Sequence, residues 1–276
     1  MKKLNCRLIV SDFDGTLANS KNQINPEVLE AINQYVQDGG IFAVCTGRIL
    51  SAIIYRLREL KLKGLVVAGQ GSVIADIESG EIIKDTHFTR SQAVEICKGF
   101  ESLDINVQAY GDYDFYSSLP EDEEHLNLYE SIIGVKALHS DVKLSKFLAN
   151  SDFKCSKFAT LCLPKDQGNL YKKISEMFAD SYDVTCSANV LIEVSQYGET
   201  KGAALKFLAE HYGVPMDKTC AIGDNLNDLS MLEVAGYGIA VGNASDELKK
   251  KVTLTTVTND EGAVAKVIEK YGYIND

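Results

Sequence analysis

The run Asp12-Phe13-Asp14-Gly15-Thr16-Leu17 sets two carboxylates two positions apart near the start of the chain. At strand spacing, residues i and i+2 project to the same side, so both acids are expected to address one point. Like charges that close repel, which calls for a cation between them. Oxygen ligands suit Mg²⁺, commonly held by one or two carboxylates together with water and substrate phosphate. The plainer reading is an Asp that caps a helix and an Asp that precedes a turn glycine.

Three further clusters carry compatible chemistry: Thr46-Gly47-Arg48, Lys201, and Gly223-Asp224-Asn225-Leu226-Asn227-Asp228. A carboxylate can attack phosphorus to give an aspartyl-phosphate. A second carboxylate can protonate the leaving oxygen and then deprotonate the water that hydrolyses the intermediate. Phosphoryl transfer otherwise needs positioning and charge neutralisation. A divalent cation, Lys201, the Thr46 hydroxyl and backbone N–H groups can supply both. Asp224 completes the cation's ligands. Asp228 acts one step behind it or merely offsets a helix dipole. Arg48 is either a substrate clamp or a solvated residue at a helix start. His87, His125, His139 and His211 show no metal-ligand spacing.

These clusters need elements that bring them together. Leu4 to Val10 is mostly apolar and reads as a buried strand ahead of the acids. Asn25-Pro26-Glu27 starts a helix by N-cap, proline and first-turn acid, and Gly39-Gly40 stops it. Strands over Ile41–Cys45 and Gly64–Ala68 follow, with a helix between them. Strand–helix–strand repetition implies parallel strands joined by right-handed crossovers. The βα rhythm returns at Thr200, which caps a helix carrying Lys201. Thr219–Ile222 then leads into Gly223-Asp224. All four clusters fall at strand ends or first helical turns, and parallel order gathers such ends along one sheet edge.

Between the two βα segments the pattern changes. Ser72 to Lys84 reads as a hairpin turning at Glu78-Ser79-Gly80. A helix follows from about Ser91, then a region rich in Tyr110, Tyr113, Phe115 and Tyr116, and then strands, a helix and strands without βα alternation. The expected architecture is α/β: a Rossmann-like doubly wound parallel sheet core at 1–82 and 189–276, with an inserted α+β domain at 83–188.

The chain has 276 residues, of which 45% are hydrophobic, and a formal net charge of -11. That charge argues against general nucleic-acid binding, which wants a basic footprint. No stretch is long and apolar enough to span a membrane, and Met1-Lys2-Lys3 does not lead into a signal peptide. Seven cysteines without CxxC spacing suggest reduced thiols in the cytoplasm. Oligomeric state is not legible.

The chain resembles the haloacid-dehalogenase-like hydrolases, specifically the Cof-type, sugar-phosphatase-like subfamily. The resemblance rests on Asp12-Phe13-Asp14-Gly15-Thr16-Leu17, Thr46-Gly47-Arg48, Lys201-Gly202, Gly223-Asp224-Asn225-Leu226-Asn227-Asp228, Met231-Leu232-Glu233-Val234-Ala235-Gly236 and Val241-Gly242-Asn243-Ala244. It implies a Mg²⁺-dependent phosphatase acting on a small phosphorylated metabolite, with the insertion as a specificity cap. It further implies Asp12 as nucleophile and Asp14 as general acid/base. Asp12, the Asp14 carbonyl and Asp224 are implied as metal ligands. Phe13, Thr46, Gly47, Lys201 and Asn227 are implied as phosphate ligands, with Arg48, Asn225 and Asp228 further out or on the substrate. One departure stands out. Where many relatives carry Asn-Gly-Ala after the third strand, this chain has Gln70-Gly71-Ser72. A phosphotransferase or mutase of the same family is the alternative. A receiver-like signalling domain is more distant, since receivers lack the long insertion and the Asp-Phe-Asp-Gly-Thr run.

Overall fold

The computed structural model describes residues 3–188 and 190–274. Thirteen strands fall into two sheets. The larger is built from β1 (Leu8–Ser11), β2 (Ile41–Cys45), β3 (Leu65–Ala68), β4 (Val73–Asp76) and β5 (Ile82–Asp85), joined after an excursion by β11 (Thr219–Gly223), β12 (Tyr237–Ala240) and β13 (Leu254–Thr255). Its order is β13-β12-β11-β1-β2-β3-β4-β5. The ladders from β13 to β3 are parallel, and β4 and β5 add an antiparallel edge. The helices α1 (Pro26–Gln37) and α2 (Leu50–Glu59) carry the chain from β1 outward to β3.

The excursion runs α3 (Arg90–Ser102), β6 (Gln108–Tyr110), β7 (Phe115–Ser117), α4 (Glu124–Ile133), α5 (Leu144–Asn150), β8 (Lys157–Leu161), α6 (Gln167–Phe178), β9 (Tyr182–Ala188) and β10 (Leu191–Gln196). Its strands form an antiparallel sheet of order β7-β6-β8-β10-β9. On return, α7 (Lys201–His211) precedes β11, and α8 (Leu229–Val234), α9 (Asp246–Lys249) and α10 (Ala263–Val267) complete the chain. From β1 the order steps one way to β2 and β3, and from β11 it steps the other way to β12 and β13. The switch point therefore lies between β1 and β11, where ligands bind in such sheets.

The expected domain limits are corrected at both ends. Ile82–Asp85 hydrogen-bonds to β4 in the large sheet, so the core continues past residue 82. Leu191–Gln196 pairs with β8 and β9 in the small sheet, so the inserted unit continues past residue 188. In both places a hairpin partner drags its strand along, and a boundary drawn by composition cuts the hairpin. The first strand also starts later than expected, at Leu8, because the backbone from Asn5 to Cys6 hydrogen-bonds instead to Tyr271 and Gly272.

Period-two alternation sorts the small sheet's two faces. Phe158, Ile192 and Val194 point into a core with Phe100, Ile174 and Phe178 beneath its helices. Ala159, Leu161 and Leu191 point the other way, into a cluster with Tyr110, Phe115, Leu126, Ile133 and, from the large unit, Ile49. That second face is the one turned toward the switch point. Lys157 and Glu193 share its alternation, so two charged residues are carried to the junction between the units.

Candidate functional site

The backbone leaves β1 at Ser11 and enters a turn. Leu17 N–H donates to the Asp12 carbonyl at 3.2 Å and Ala18 N–H to the Phe13 carbonyl at 2.8 Å. Gly15 takes φ +74°, and a Cβ there would come within 2.6 Å of Asp224 Oδ2. Glycine is thus required both by the left-handed backbone and by the close approach of Asp224. Because residues 12–17 turn rather than extend, the strand-spacing expectation fails: Asp12 and Asp14 face one cavity but not one point.

Asp12 is buried, 5% exposed. Its Oδ1 accepts from Lys201 Nζ at 2.5 Å, and the same ammonium donates to Asp228 Oδ1 at 2.5 Å. Lys201 gets there because Thr200 caps α7, its side chain accepting from Ala203 N–H. Gly202 packs against Ser230 so closely that a Cβ would sit 2.4 Å from its carbonyl oxygen. Asp228 Oδ2 accepts from the N–H groups of Asp224 and Asn225 at 2.9 and 3.0 Å, which shapes the loop after β11. Asp228 is therefore a buried strut, more than a dipole-compensating surface acid. Asn225 caps the same turn through Leu226 N–H at 2.8 Å.

One oxygen each of Asp12, Asp224 and Asp228 lie within 4.8 Å of one another. Asp224 Oδ1 accepts from Thr16 Oγ1 at 3.1 Å. Burial pushes the Asp12 carboxyl well up, Lys201 pulls it back, and the neighbouring acids push it up again. Burial and Asp228 push Asp224 up to about 7. Burial works against the Lys201 cation, but Asp12 and Asp228 more than offset it and its pKa stands well above the ordinary value. Three acids around one ammonium leave net negative charge in a buried place. With Oδ1 of Asp228 on Lys201 and Oδ2 on two amides, the oxygens best placed for a cation are those of Asp12 and Asp224. An all-carboxylate set of this kind fits a hard divalent ion.

Asp14 reaches the same cavity but is bonded to Arg48 and not to Lys201. Arg48 Nε and Nη2 grip Asp14 Oδ2 and Oδ1 at 2.8 and 2.7 Å. The Arg48 side chain is only 7% exposed, whereas that of Asp14 is 51% exposed. The Arg48 guanidinium also stands 5.4 Å from the centre of the buried Phe13 ring. Burial removes the solvated reading of Arg48; its Nε and Nη2 hold Asp14 while the residue still lines the cavity. Thr46 is buried at the end of β2, and its Oγ1 accepts from Arg48 N–H at 3.2 Å.

These residues line a cavity of about 260 Å³ with Gly47, Gln70, Asn225 and Asn227, roofed by Tyr129, Ile132 and Ile133 of α4 and by Leu191. Of the residues named from the sequence, Asp12, Asp14, Thr46, Gly47, Arg48, Asp224, Asn225 and Asn227 reach the cavity wall, while Lys201 and Asp228 stand behind it. Phe13 is fully buried, so only its backbone is available to a ligand. Sequence reasoning missed Lys157 and Glu193 and marked Gln70 only as a departure from relatives. Lys157 and Glu193 form a buried ion pair, and Lys157 Nζ also donates to the Gly47 carbonyl at 2.8 Å. Gln70 bridges Glu193 and Asn227. The only signal in the sequence was the Gln70-Gly71-Ser72 departure.

The family model described as haloacid dehalogenase-like hydrolase matches residues 9–268. The chain belongs to this family. It is 31% identical to a Bacillus subtilis protein named phosphatase YwpJ, over 95% of this chain and 99% of that one. It is 30% identical to the B. subtilis 5-amino-6-(5-phospho-D-ribitylamino)uracil phosphatase YwtE, over 96% and 97% of the two chains. A solved haloacid dehalogenase-like hydrolase from B. subtilis superposes with a TM-score of 0.83 at 28% identity, covering 96% of this chain and 99% of that one. The protein is accordingly a phosphatase of the haloacid dehalogenase-like family, acting on small phosphorylated compounds. Members of this family generally use a metal ion. Among the described residues no helix is long and apolar enough to cross a membrane.

Proposed function

We propose that this hydrolase is a Mg²⁺-dependent phosphomonoesterase that works through an aspartyl-phosphate on Asp12, with a sugar phosphate or similar small metabolite as substrate. The observation that carries the reading is the division of labour between two carboxylates on one cavity. Asp12 is buried against Lys201 and fixed. Asp14 is half exposed, held by Arg48, and open to solvent. The fixed, buried carboxylate is read as the nucleophile, and the solvent-accessible one as the group that exchanges protons with the leaving oxygen and water.

In the first half-reaction an Asp12 oxygen attacks phosphorus as the ester P–O bond breaks, and Asp14 gives its proton to the departing oxygen. In the second half, water attacks phosphorus and passes a proton to Asp14. The Asp12–phosphorus bond breaks, restoring the carboxylate and releasing inorganic phosphate. Asp12 and Asp224, with the Asp14 carbonyl, would hold Mg²⁺, which supplies the positive charge that lets a phosphate dianion approach three acids. Thr46, Gly47, Asn227 and the Phe13 backbone hold the phosphate oxygens, and Lys201, behind the cavity wall on Asp12 and Asp228, adds its positive charge to them. Asn225 and Asp228 shape the loop that presents Asp224 and Asn227, and Arg48 aims Asp14. A cavity near the lower end of the usual ligand-site range suits a compact leaving group. Chelation followed by Mg²⁺ restoration tests the cation requirement. Activity should vanish with chelator and return with Mg²⁺, and full turnover in excess chelator would remove the carboxylate–metal reading.

A further inference from the structure

A single line of hydrogen bonds leaves the large unit, crosses the small one and returns. Asn227 Nδ2 donates to Gln70 Oε1 at 3.1 Å, and Gln70 Nε2 donates to Glu193 Oε2 at 2.7 Å. Glu193 Oε1 accepts from Lys157 Nζ, which donates in turn to the Gly47 carbonyl. Both ends of the line, Asn227 and Gly47, are residues assigned above to the phosphate. Its middle, Lys157 and Glu193, belongs to β8 and β10 of the inserted unit. Gln70, Lys157 and Glu193 are all buried.

Gln70 is the unusual member. Its φ is +64°, a conformation that costs a non-glycine residue energy and persists only where the surroundings enforce it. Its N–H donates to the Thr46 carbonyl at 3.1 Å, which locks the strained turn onto the phosphate loop. A Cβ on Gly47 would lie 2.5 Å from Gln70 Nε2, so Gly47 must be glycine for the amide to pass. An ionised Glu193 only accepts, so it selects the nitrogen end of the Gln70 amide. That leaves the Gln70 oxygen facing Asn227, whose amide must then present its nitrogen. Asparagine at position 70 would be one methylene too short to span both partners.

We propose that Gln70 is a positioning residue that couples docking of the inserted unit to the orientation of the Asn227 amide, and through it to phosphate binding. Two of the four bonds cross between the units, through Gln70–Glu193 and Lys157–Gly47. Separation of the units breaks both and frees the Gln70 amide to turn. Docking restores them, and Asn227 again offers N–H to the cavity. This inference rests on the phosphate role proposed for Asn227.

Inhibition of aryl phosphate turnover by inorganic phosphate tests it. Gln70→Gly accepts the positive φ but removes the amide that bonds Glu193 and Asn227, so the two effects on the melting temperature oppose one another, and it is recorded beside inhibition. Phosphate inhibition should weaken about tenfold, the scale of one lost buried hydrogen bond. In an Asn227→Ala background, where the relay is already cut, adding Gln70→Gly should change inhibition by less than about twofold; Glu193→Gln keeps an acceptor for Lys157 but presents N–H to Gln70, so alone it should turn the Gln70 amide and weaken inhibition as Gln70→Gly does. An unchanged inhibition constant in Gln70→Gly, or a full additional loss in the Asn227→Ala background, overturns the coupling while leaving the phosphatase reading intact. Should Glu193→Gln fail to fold, the Asn227 cycle decides alone. Wild-type protein that turns over aryl phosphate but ignores inorganic phosphate would refute the phosphate site itself, and the coupling with it.

Discussion

At the scale of residues, the site works by giving similar side chains different surroundings. Asp12→Asn should abolish turnover and covalent labelling. Asp14→Asn should lower kcat on the order of 10²–10⁴-fold, least for esters with good leaving groups. Arg48→Ala leaves both carboxylates in place but frees Asp14 to wander. Misplacement of a catalytic group costs up to about 10²-fold, so kcat should fall while KM barely moves. A rise in KM at constant kcat would return Arg48 to the substrate. Asp224 adds a pH signature. Its carboxyl stands at about 7 in the folded protein against an ordinary 3.8. A carboxyl raised in this way stabilises the fold below its unfolded value, and that contribution is lost as pH rises toward the folded value. Metal-free protein therefore loses stability from this group between about pH 4 and pH 7, and a cation must displace the proton below that range's upper end. Added Mg²⁺ should raise Tm more at about pH 8 than at about pH 5.5. An equal shift at both would mean that the ion binds elsewhere.

At the scale of elements, the βα units were legible because their signals are local. Pro26 starts α1 and Thr200 caps α7 as read from residue type, and α1 ends at Gln37 just ahead of Gly39-Gly40; Asn25 holds the N-cap position, but its side chain accepts from Asn19 Nδ2 and makes no capping bond. Thr200→Ala should cost about 1 kcal/mol of stability, measured by denaturant unfolding. Because α7 carries Lys201, kcat/KM should fall beyond what the folded fraction explains, and an activity loss matching unfolding alone would separate the cap from the site. The elements that escaped notice include the ten-residue α4 and the seven-residue α5, which lie in a stretch read only for its aromatics and acids, and α4 starts without a side-chain cap. β6 and β7 are three residues each and α9 is four, too short for periodicity to register. The Asp12–Asp14 geometry was misread for a related reason. Strand alternation ends at Ser11, and the turn that replaces it is set by Gly15 against Asp224, a contact 209 positions apart in the chain (224 − 15). Lys157 and Glu193 were illegible as site residues because each is an ordinary charge in its own strand. Only the antiparallel pairing of β8 with β10 brings them together.

At the scale of the whole molecule, the large unit supplies every group proposed for chemistry, and the inserted unit closes the cavity with Tyr129, Ile132, Ile133 and Leu191. The aromatic run anticipated near Tyr110 proves to be mostly interior: Tyr110 and Phe115 stack in the buried cluster between the units, and only Tyr113 is substantially exposed. In the proposed reaction the leaving group would therefore meet α4, whose Tyr129, Ile132 and Ile133 line the cavity. Ile132→Ala should change kcat/KM for bulky phosphate esters by several-fold, about the worth of one buried aliphatic group, and scarcely alter it for a minimal ester. An equal loss for both would make α4 a scaffold and not a selector. The proposed pathway converges on one covalent bond, from Asp12 to phosphorus, and trapping that bond tests it. Asp14→Asn protein, incubated with Mg²⁺ and an aryl phosphate of good leaving group, should accumulate a phosphoenzyme, and peptide mass spectrometry should place the phosphoryl group on Asp12. Phosphate on any other residue, or steady product formation with no trapped adduct, would contradict the aspartyl-phosphate pathway.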